Sequence, residues 1–195
     1  PNVLVARQNL PVKSVKELLA YINANAGKAN YASPGAGTAA YLSAELFMQI
    51  TGTTLIHVPY KGTAPSLVDL VGGHVDLTFA QIAAVYPLYK DSRVKLLATA
   101  TAERLEFIPE IPTLAEVGVR GAESDTWNAI SVPPKTPAPI IAKLNAAIND
   151  AMAMPEVQEQ FKKLHLQLGG GTPQHLGEVM KADTKRWGEV IREAK

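Results

Sequence analysis

The sequence predicts an α/β protein in which helices cover both faces of a mostly parallel sheet. Short strand-type segments alternate with amphipathic helical segments up to about residue 100. The connections between them are short, as in a βαβαβ chain. A glycine-rich turn at residues 35–38 also joins one strand directly to a helix, as is common at the carboxyl edge of a parallel sheet.

Composition indicates a globular chain and excludes several classes. The 195 residues are 47% hydrophobic and 19% charged, which is enough apolar material for a substantial core. The net charge of +1, without a basic cluster, argues against a nucleic acid partner. The chain has no cysteine, which excludes disulfides, thiolate zinc sites and cysteine nucleophiles.

The first elements have clear boundary signals. A strand over 3–7 is followed by a capping box, Ser14 with Glu17, which predicts a helix to about Asn25. A short strand over 30–32 leads into the glycine-rich turn. The next helix is amphipathic and ends at Gly52, a typical left-handed C-cap.

The remaining elements follow from the same patterns. The sequence predicts strands over 55–59, 75–80 and 95–100, and helices over 63–71 and 82–89. An irregular segment over 103–118 includes one helical turn at 113–117, and a further strand is predicted over 125–132.

After residue 132 the sequence predicts mainly helices. Thr136 with Pro137 predicts one helix start, Pro155 a second, and Thr172 with Pro173 a third. One short strand is expected over 166–168. Because little sheet is available to these helices, their apolar side chains should be partly exposed and could promote self-association. These side chains include Leu144, Ile148, Val179 and Trp187.

The glycine-rich turn predicts a small-anion site. A helix start exposes unpaired N–H groups at the positive end of the helix dipole. The expected donors are Ser33, Thr38 and the N–H groups of residues 36–38. Residues 35–40 also fit G-x-G-x-x-A, a dinucleotide fingerprint, but no acidic residue ends the next strand to bind a ribose. A turn that only permits tight packing is the other alternative.

Two more strand ends could contribute to the same site. Tyr60 could line a cleft and Gln81 could donate or accept hydrogen bonds there. The four histidines have no metal-ligand spacing, and no catalytic pattern is visible. We therefore predict no catalytic residue, no metal and no cofactor.

Four motifs resemble a known family. YASPGAGT at 31–38, VPYKG at 58–62, DLVGGHVD at 69–76 and IPTLAEVG at 111–118 are similar to segments of the Bug extracytoplasmic solute receptors. These receptors are the substrate-binding components of tripartite tricarboxylate transporters. The resemblance covers essentially the whole chain and implies a periplasmic receptor that binds a small carboxylate or amino acid and delivers it to transporter membrane subunits.

The resemblance also implies the type II periplasmic-binding-protein fold, with two lobes, and a chain that lacks its N-terminal part. Residues 1–5 and 126–132 would be the crossing strands between lobes. Residues 6–125 would form lobe two, the ligand-binding α/β domain, and 133–195 the helical C-terminal part of an incomplete lobe one.

Family positions map onto Ser33, Gly35, Ala36, Gly37 and Thr38 as the loop that binds a carboxylate. Gln81 stands where the family often has Asp or Asn, and Tyr41 where many members have His. A nucleotide-dependent enzyme and a ligand-sensing module for a signalling partner remain the alternative functions.

Overall fold

The computed structural model describes residues 1–194. It divides into two compact units: unit 1 comprises Pro1–Thr126 and the residues from Val190 onward, and unit 2 comprises Trp127–Glu189. The strands are β1 (Asn2–Arg7), β2 (Asn30–Ser33), β3 (Ile56–Pro59), β4 (Leu77–Gln81) and β5 (Val94–Thr99). The helices are α1 (Val15–Ala24), α2 (Ala39–Thr51), α3 (Thr63–Gly72), α4 (Ile82–Lys90), α5 (Ala138–Ala153), α6 (Pro155–Lys163) and α7 (Pro173–Glu193).

The sheet has the strand order β3-β2-β4-β1-β5. Four strands run in one direction, because β2 pairs in parallel with β3 and β4, and β5 has the same sense as β4. The mostly parallel prediction is therefore confirmed. The exception is β1, which lies between β4 and β5 and is antiparallel to both.

Helices cover both faces of this sheet, as predicted. Along β1, Leu4 and Ala6 belong to one apolar cluster, while Val3 and Val5 belong to the other. The first cluster includes buried residues of α1 and α2, and the second includes those of α3 and α4. The alternation follows from the two-residue period of a strand, which sends successive side chains to opposite faces.

Most predicted helix boundaries are confirmed. Ser14 Oγ accepts the Glu17 N–H, although the Glu17 carboxylate accepts the N–H of Lys13 rather than that of the cap. Gly52 ends α2 in the left-handed conformation, and Thr172 Oγ1 accepts the His175 N–H at the start of α7.

Three local predictions are wrong. Residues 125–132 form no hydrogen-bonded strand, and neither do residues 166–168. A strand needs a neighbouring strand for its N–H and C=O groups, and no pairing partner lies beside either segment in the described chain. Thr136 does not cap α5, because its hydroxyl donates to the Pro133 carbonyl and the helix begins one residue later, with Pro137 at the cap position.

No helix within residues 1–194 combines the length and the apolar character required to cross a membrane.

Candidate functional site

Three helices begin at one edge of the sheet in unit 1. The helices α2, α3 and α4 follow the carboxyl ends of the parallel strands β2, β3 and β4. Because each helix N-terminus carries a partial positive charge and unpaired N–H groups, this edge gathers three such ends. Ligands of open α/β sheets commonly lie at this position.

A pocket of about 430 Å³ lies among these helix starts. Its lining residues are Asn2, Pro34, Thr38, Ala39, Ala40, Thr63, Ser66, Phe79, Ala80, Gln81, Ala84 and Thr126. All belong to unit 1, and none of them is charged. The positive character of the pocket therefore comes from backbone dipoles rather than from lysine or arginine.

The glycine-rich turn is held by its own hydrogen bonds. Ser33 Oγ accepts the Gly35 N–H at 3.1 Å. The Thr38 hydroxyl donates to the Gly35 carbonyl at 2.7 Å, and its oxygen accepts the Tyr41 N–H at 3.4 Å. Gly35 has a φ of 129° and Gly37 a φ of 79°, conformations that a residue with a Cβ rarely adopts. The turn is therefore a fixed support for the start of α2.

Because of these hydrogen bonds, only some of the donors predicted in the turn are available to a ligand. Ser33 is fully buried and Thr38 is already engaged, so their side chains mainly shape the turn. The N–H groups of Ala36, Gly37, Ala39 and Ala40 make no hydrogen bond to any described residue. Of these four, Ala39 and Ala40 line the pocket. Sequence reasoning missed this pair, although the first two N–H groups after an N-cap are always unpaired within the helix.

A second layer of side chains lies behind the turn. His57 on β3 is within 2.7 Å of Ser33 Oγ through its Nε2 atom, and its ring stacks on Tyr31. Tyr41 packs obliquely on the same ring. Burial lowers the pKa of His57, and the nearby Glu45 carboxylate opposes that shift without reversing it. A neutral imidazole is thus favoured next to Ser33.

Tyr60 and Gln81 occupy different places. The Tyr60 hydroxyl donates to Asp69 on α3 at 2.6 Å, and burial together with this bond raises the pKa of Tyr60 to about 12. Tyr60 does not line the pocket, whereas Gln81 does. Among the predicted site residues, the structure therefore brings Thr38 and Gln81 to the pocket, with Ser33, Gly35, Ala36 and Gly37 forming the turn beside it.

The sheet and its covering helices have the fold of the periplasmic binding proteins. In comparison with known proteins, residues 1–195 match the family described as the tripartite tricarboxylate transporter family receptor, TctC. The chain belongs to this family.

Three solved structures have the same fold. The chain has a TM-score of 0.93 and 34% identity with Rpa4515 of R. palustris, solved with adipate, covering 98% of this chain and 64% of that one. For the periplasmic binding protein BugD the TM-score is 0.90 at 31% identity, covering 99% and 65%. For MatC (Rpa3494) from Rhodopseudomonas palustris with bound malate it is 0.85 at 31% identity, covering 98% and 66%.

A further relative also matches almost the whole of this chain. The UPF0065 protein in the tcbD-tcbE intergenic region of Pseudomonas sp. (strain P51) is 36% identical over 194 residues, which is 99% of this chain and 58% of that protein. The chain thus spans less than two thirds of the length of each of these four proteins. The matching family is one of receptors, and BugD is a periplasmic binding protein, which confirms the prediction against an enzyme.

Proposed function

We propose that this chain is the ligand-binding part of a periplasmic receptor that captures a small carboxylate for a tripartite tricarboxylate transporter. The ligand would be a dicarboxylate, a tricarboxylate or an amino acid, and the receptor would pass it to the transporter membrane subunits. The observation that carries the proposal is an uncharged pocket at three helix N-termini, two of whose lining residues, Ala39 and Ala40, have unpaired N–H groups. The relatives solved with adipate and malate support a carboxylate.

The start of α2 is proposed to bind the carboxylate directly. Helix N-termini stabilise anions through their dipole and their free N–H groups. Of the predicted residues, Ser33, Gly35, Ala36, Gly37 and Thr38 would shape this anion site, and Gln81 would contact the ligand from β4. Tyr60 would act on the pocket through its bond to α3.

The division into lobes is also a proposal. Residues 6–125 would form lobe two, residues 1–5 and 126–132 would cross between lobes, and residues 133–195 would belong to lobe one. Closure at the crossing segments would then trap the ligand. Small-angle scattering of the intact receptor should show a smaller radius of gyration with ligand, and an unchanged radius would count against closure.

The exposed apolar side chains of unit 2 would be covered by other parts of such a receptor. Leu144 is 44% exposed, and Ile140 and Met180 are each about half exposed. We propose that the 195-residue chain, made alone, self-associates through these helices. Light scattering that finds only monomer at high concentration would contradict this.

The sharpest test of the α2 site is Ala39→Pro. Ala39 is the first residue of α2, where proline is well tolerated, and Thr38 already has the extended backbone (φ −75°, ψ 158°) that a following proline requires. The change removes the Ala39 N–H while keeping the helix. Calorimetry of the intact protein with succinate, malate and adipate should show affinity lowered by about tenfold or more.

Ala39→Gly is the matched control, because it shortens the side chain but keeps the N–H. It should bind these acids nearly as well as the unchanged protein. Failure of the unchanged protein to bind any small carboxylate would refute the proposed function. Equal affinity for Ala39→Pro and Ala39→Gly would refute the role of the α2 start.

A further inference from the structure

Asn2, the first residue of β1, has a buried side-chain amide whose nitrogen makes no hydrogen bond to any described residue. The residue is 2% exposed and lines the pocket. Its Oδ1 accepts the Thr126 hydroxyl at 3.2 Å, which orients the amide. Its Nδ2 is buried and has no hydrogen-bond partner among residues 1–194. Buried donors are nearly always paired, so this one requires an explanation.

The sheet register places a second amide beside it. Asn2 on β1 lies directly opposite Gln81 on β4 in an antiparallel pair. Directly opposed residues of such a pair project from the same face of the sheet. Both residues line the pocket, so their two side-chain amides lie next to each other at the carboxyl edge of the parallel strands.

The other groups at the pocket determine what this pair can bind. The helix starts present N–H groups and positive dipole ends, and no lining residue has a carboxylate. The Asn2 side-chain carbonyl already accepts one hydrogen bond, from the Thr126 hydroxyl. An ammonium group would find no carboxylate among the lining residues to compensate its charge, and it would lie in the positive potential of three helix starts. A carboxylate, hydroxyl or carbonyl oxygen would instead accept from Nδ2.

We propose that Asn2 is a ligand-binding residue whose Nδ2 donates to an oxygen of the bound solute. Together with Gln81 it makes the pocket select unsubstituted or hydroxylated carboxylates over amino acids. This inference rests on the proposed function and narrows its ligand class.

The experiment uses the intact protein and calorimetry with two matched ligand pairs. L-Malate and L-aspartate differ by a hydroxyl in place of an ammonium, and adipate and L-2-aminoadipate differ by an added ammonium. The unchanged protein should favour the member without the ammonium by at least about tenfold. Asn2→Ala should weaken binding of that member by about tenfold, and Asn2→Asp should also reduce the preference within the pair by about tenfold.

The melting temperature of the ligand-free protein distinguishes a binding role of Asn2 from a structural one. Asn2→Ala removes an unpaired buried donor and the acceptor of the Thr126 hydroxyl, but Thr126 is only partly buried and its hydroxyl can bond water instead. The melting temperature without ligand should therefore change little while affinity falls. This variant also keeps the test valid should Asn2→Asp fail to fold. Gln8→Glu is the charge control for Asn2→Asp, because Gln8 is exposed just beyond the opposite end of β1. Its affinities should match those of the unchanged protein.

The outcomes distinguish this inference from the function on which it rests. Binding of the acids with Asn2→Ala within twofold of the unchanged protein overturns the role of Asn2 and leaves the receptor function standing. Preference for the amino acid in the unchanged protein overturns the ligand class. A large fall in the melting temperature of Asn2→Ala with unchanged affinity assigns a structural role. No binding of any panel member refutes the proposed function itself.

Discussion

The two units of this chain differ in how they use their apolar residues. Unit 1 buries apolar side chains on both faces of its sheet, in two clusters that include Leu18 and Leu70. No described residue of unit 2 is buried, although its helices are as clearly amphipathic in sequence. Because most helical stability comes from packing an apolar face, regular helices alone do not show that a unit is stable by itself.

The candidate site belongs to unit 1. The pocket lies in the unit that has the core, at the ends of strands whose positions the sheet fixes. Sites on rigid elements keep their donors in place without a ligand. Unit 2 has no comparable support among its described residues.

The same substitution in the two units should give the largest contrast. Leu18→Ala in α1 removes a fully buried side chain and should lower the free energy of unfolding by about 2–5 kcal/mol. Leu144→Ala in α5 removes an exposed side chain and should cost less than about 1 kcal/mol. Denaturant unfolding followed by circular dichroism measures both. Both tryptophans, Trp127 and Trp187, lie in unit 2, so fluorescence follows that unit separately. Equal losses would refute the contrast.

Two ion pairs allow a second comparison. In unit 1, Arg7 Nε lies 2.9 Å from Asp76 Oδ1, and the other Asp76 oxygen accepts the Asn30 N–H. Asp76→Ala should cost about 2 kcal/mol, because it leaves a partly buried charge and an N–H unpaired. In unit 2, Glu159 and Lys163 form an exposed pair one helical turn apart, and Glu159→Ala should cost at most about 0.5 kcal/mol. Chemical denaturation of both variants measures the difference, and a Glu159→Ala loss as large as that of Asp76→Ala would contradict it.

Helix caps provide a smaller contrast. Ser14 caps α1 in unit 1 and Thr172 caps α7 in unit 2. Ser14→Ala should lower the free energy of the main unfolding transition by about 1 kcal/mol. Thr172→Ala should leave that transition nearly unchanged, because unit 2 contributes no buried core to it. If Thr172→Ala shifts the main transition as much as Ser14→Ala does, the two units unfold together.

The smallest expected effect is the pH dependence from His57. Since burial lowers the pKa of His57, the unfolded chain binds more protons than the folded one below the ordinary value of about 6.5. The stability of unit 1 should therefore be complete above about pH 6.5 and decrease as the pH falls below it. His57→Gln removes the titrating group and should make that decrease shallower, while His175→Gln in unit 2 should not. Thermal melts between about pH 5 and 8 measure the slopes, and equal slopes for His57→Gln and the unchanged chain would refute the role of His57.

Most helix boundaries and the glycine-rich turn could be predicted from local sequence signals. The caps at Ser14 and Thr172 and the left-handed end at Gly52 depend on neighbouring residues, so their signals are complete within a few positions. The anion site at the start of α2 could also be predicted locally, because every helix start leaves N–H groups unpaired within the helix. The family motifs then indicated the receptor fold.

Which of these groups line the same pocket depends on how the strands pair in three dimensions, and the local sequence does not specify it. The reversed direction of β1 and the place of Asn2 opposite Gln81 depend on residues 79 positions apart, at 2 and 81 in the chain. The absence of a strand over 125–132 likewise depends on whether a partner strand lies beside it. Such long-range pairings are set by the packing of the whole sheet and leave no signal in the local sequence. The burial of Asn2 Nδ2, which has no hydrogen-bond partner among residues 1–194, depends on that packing as well.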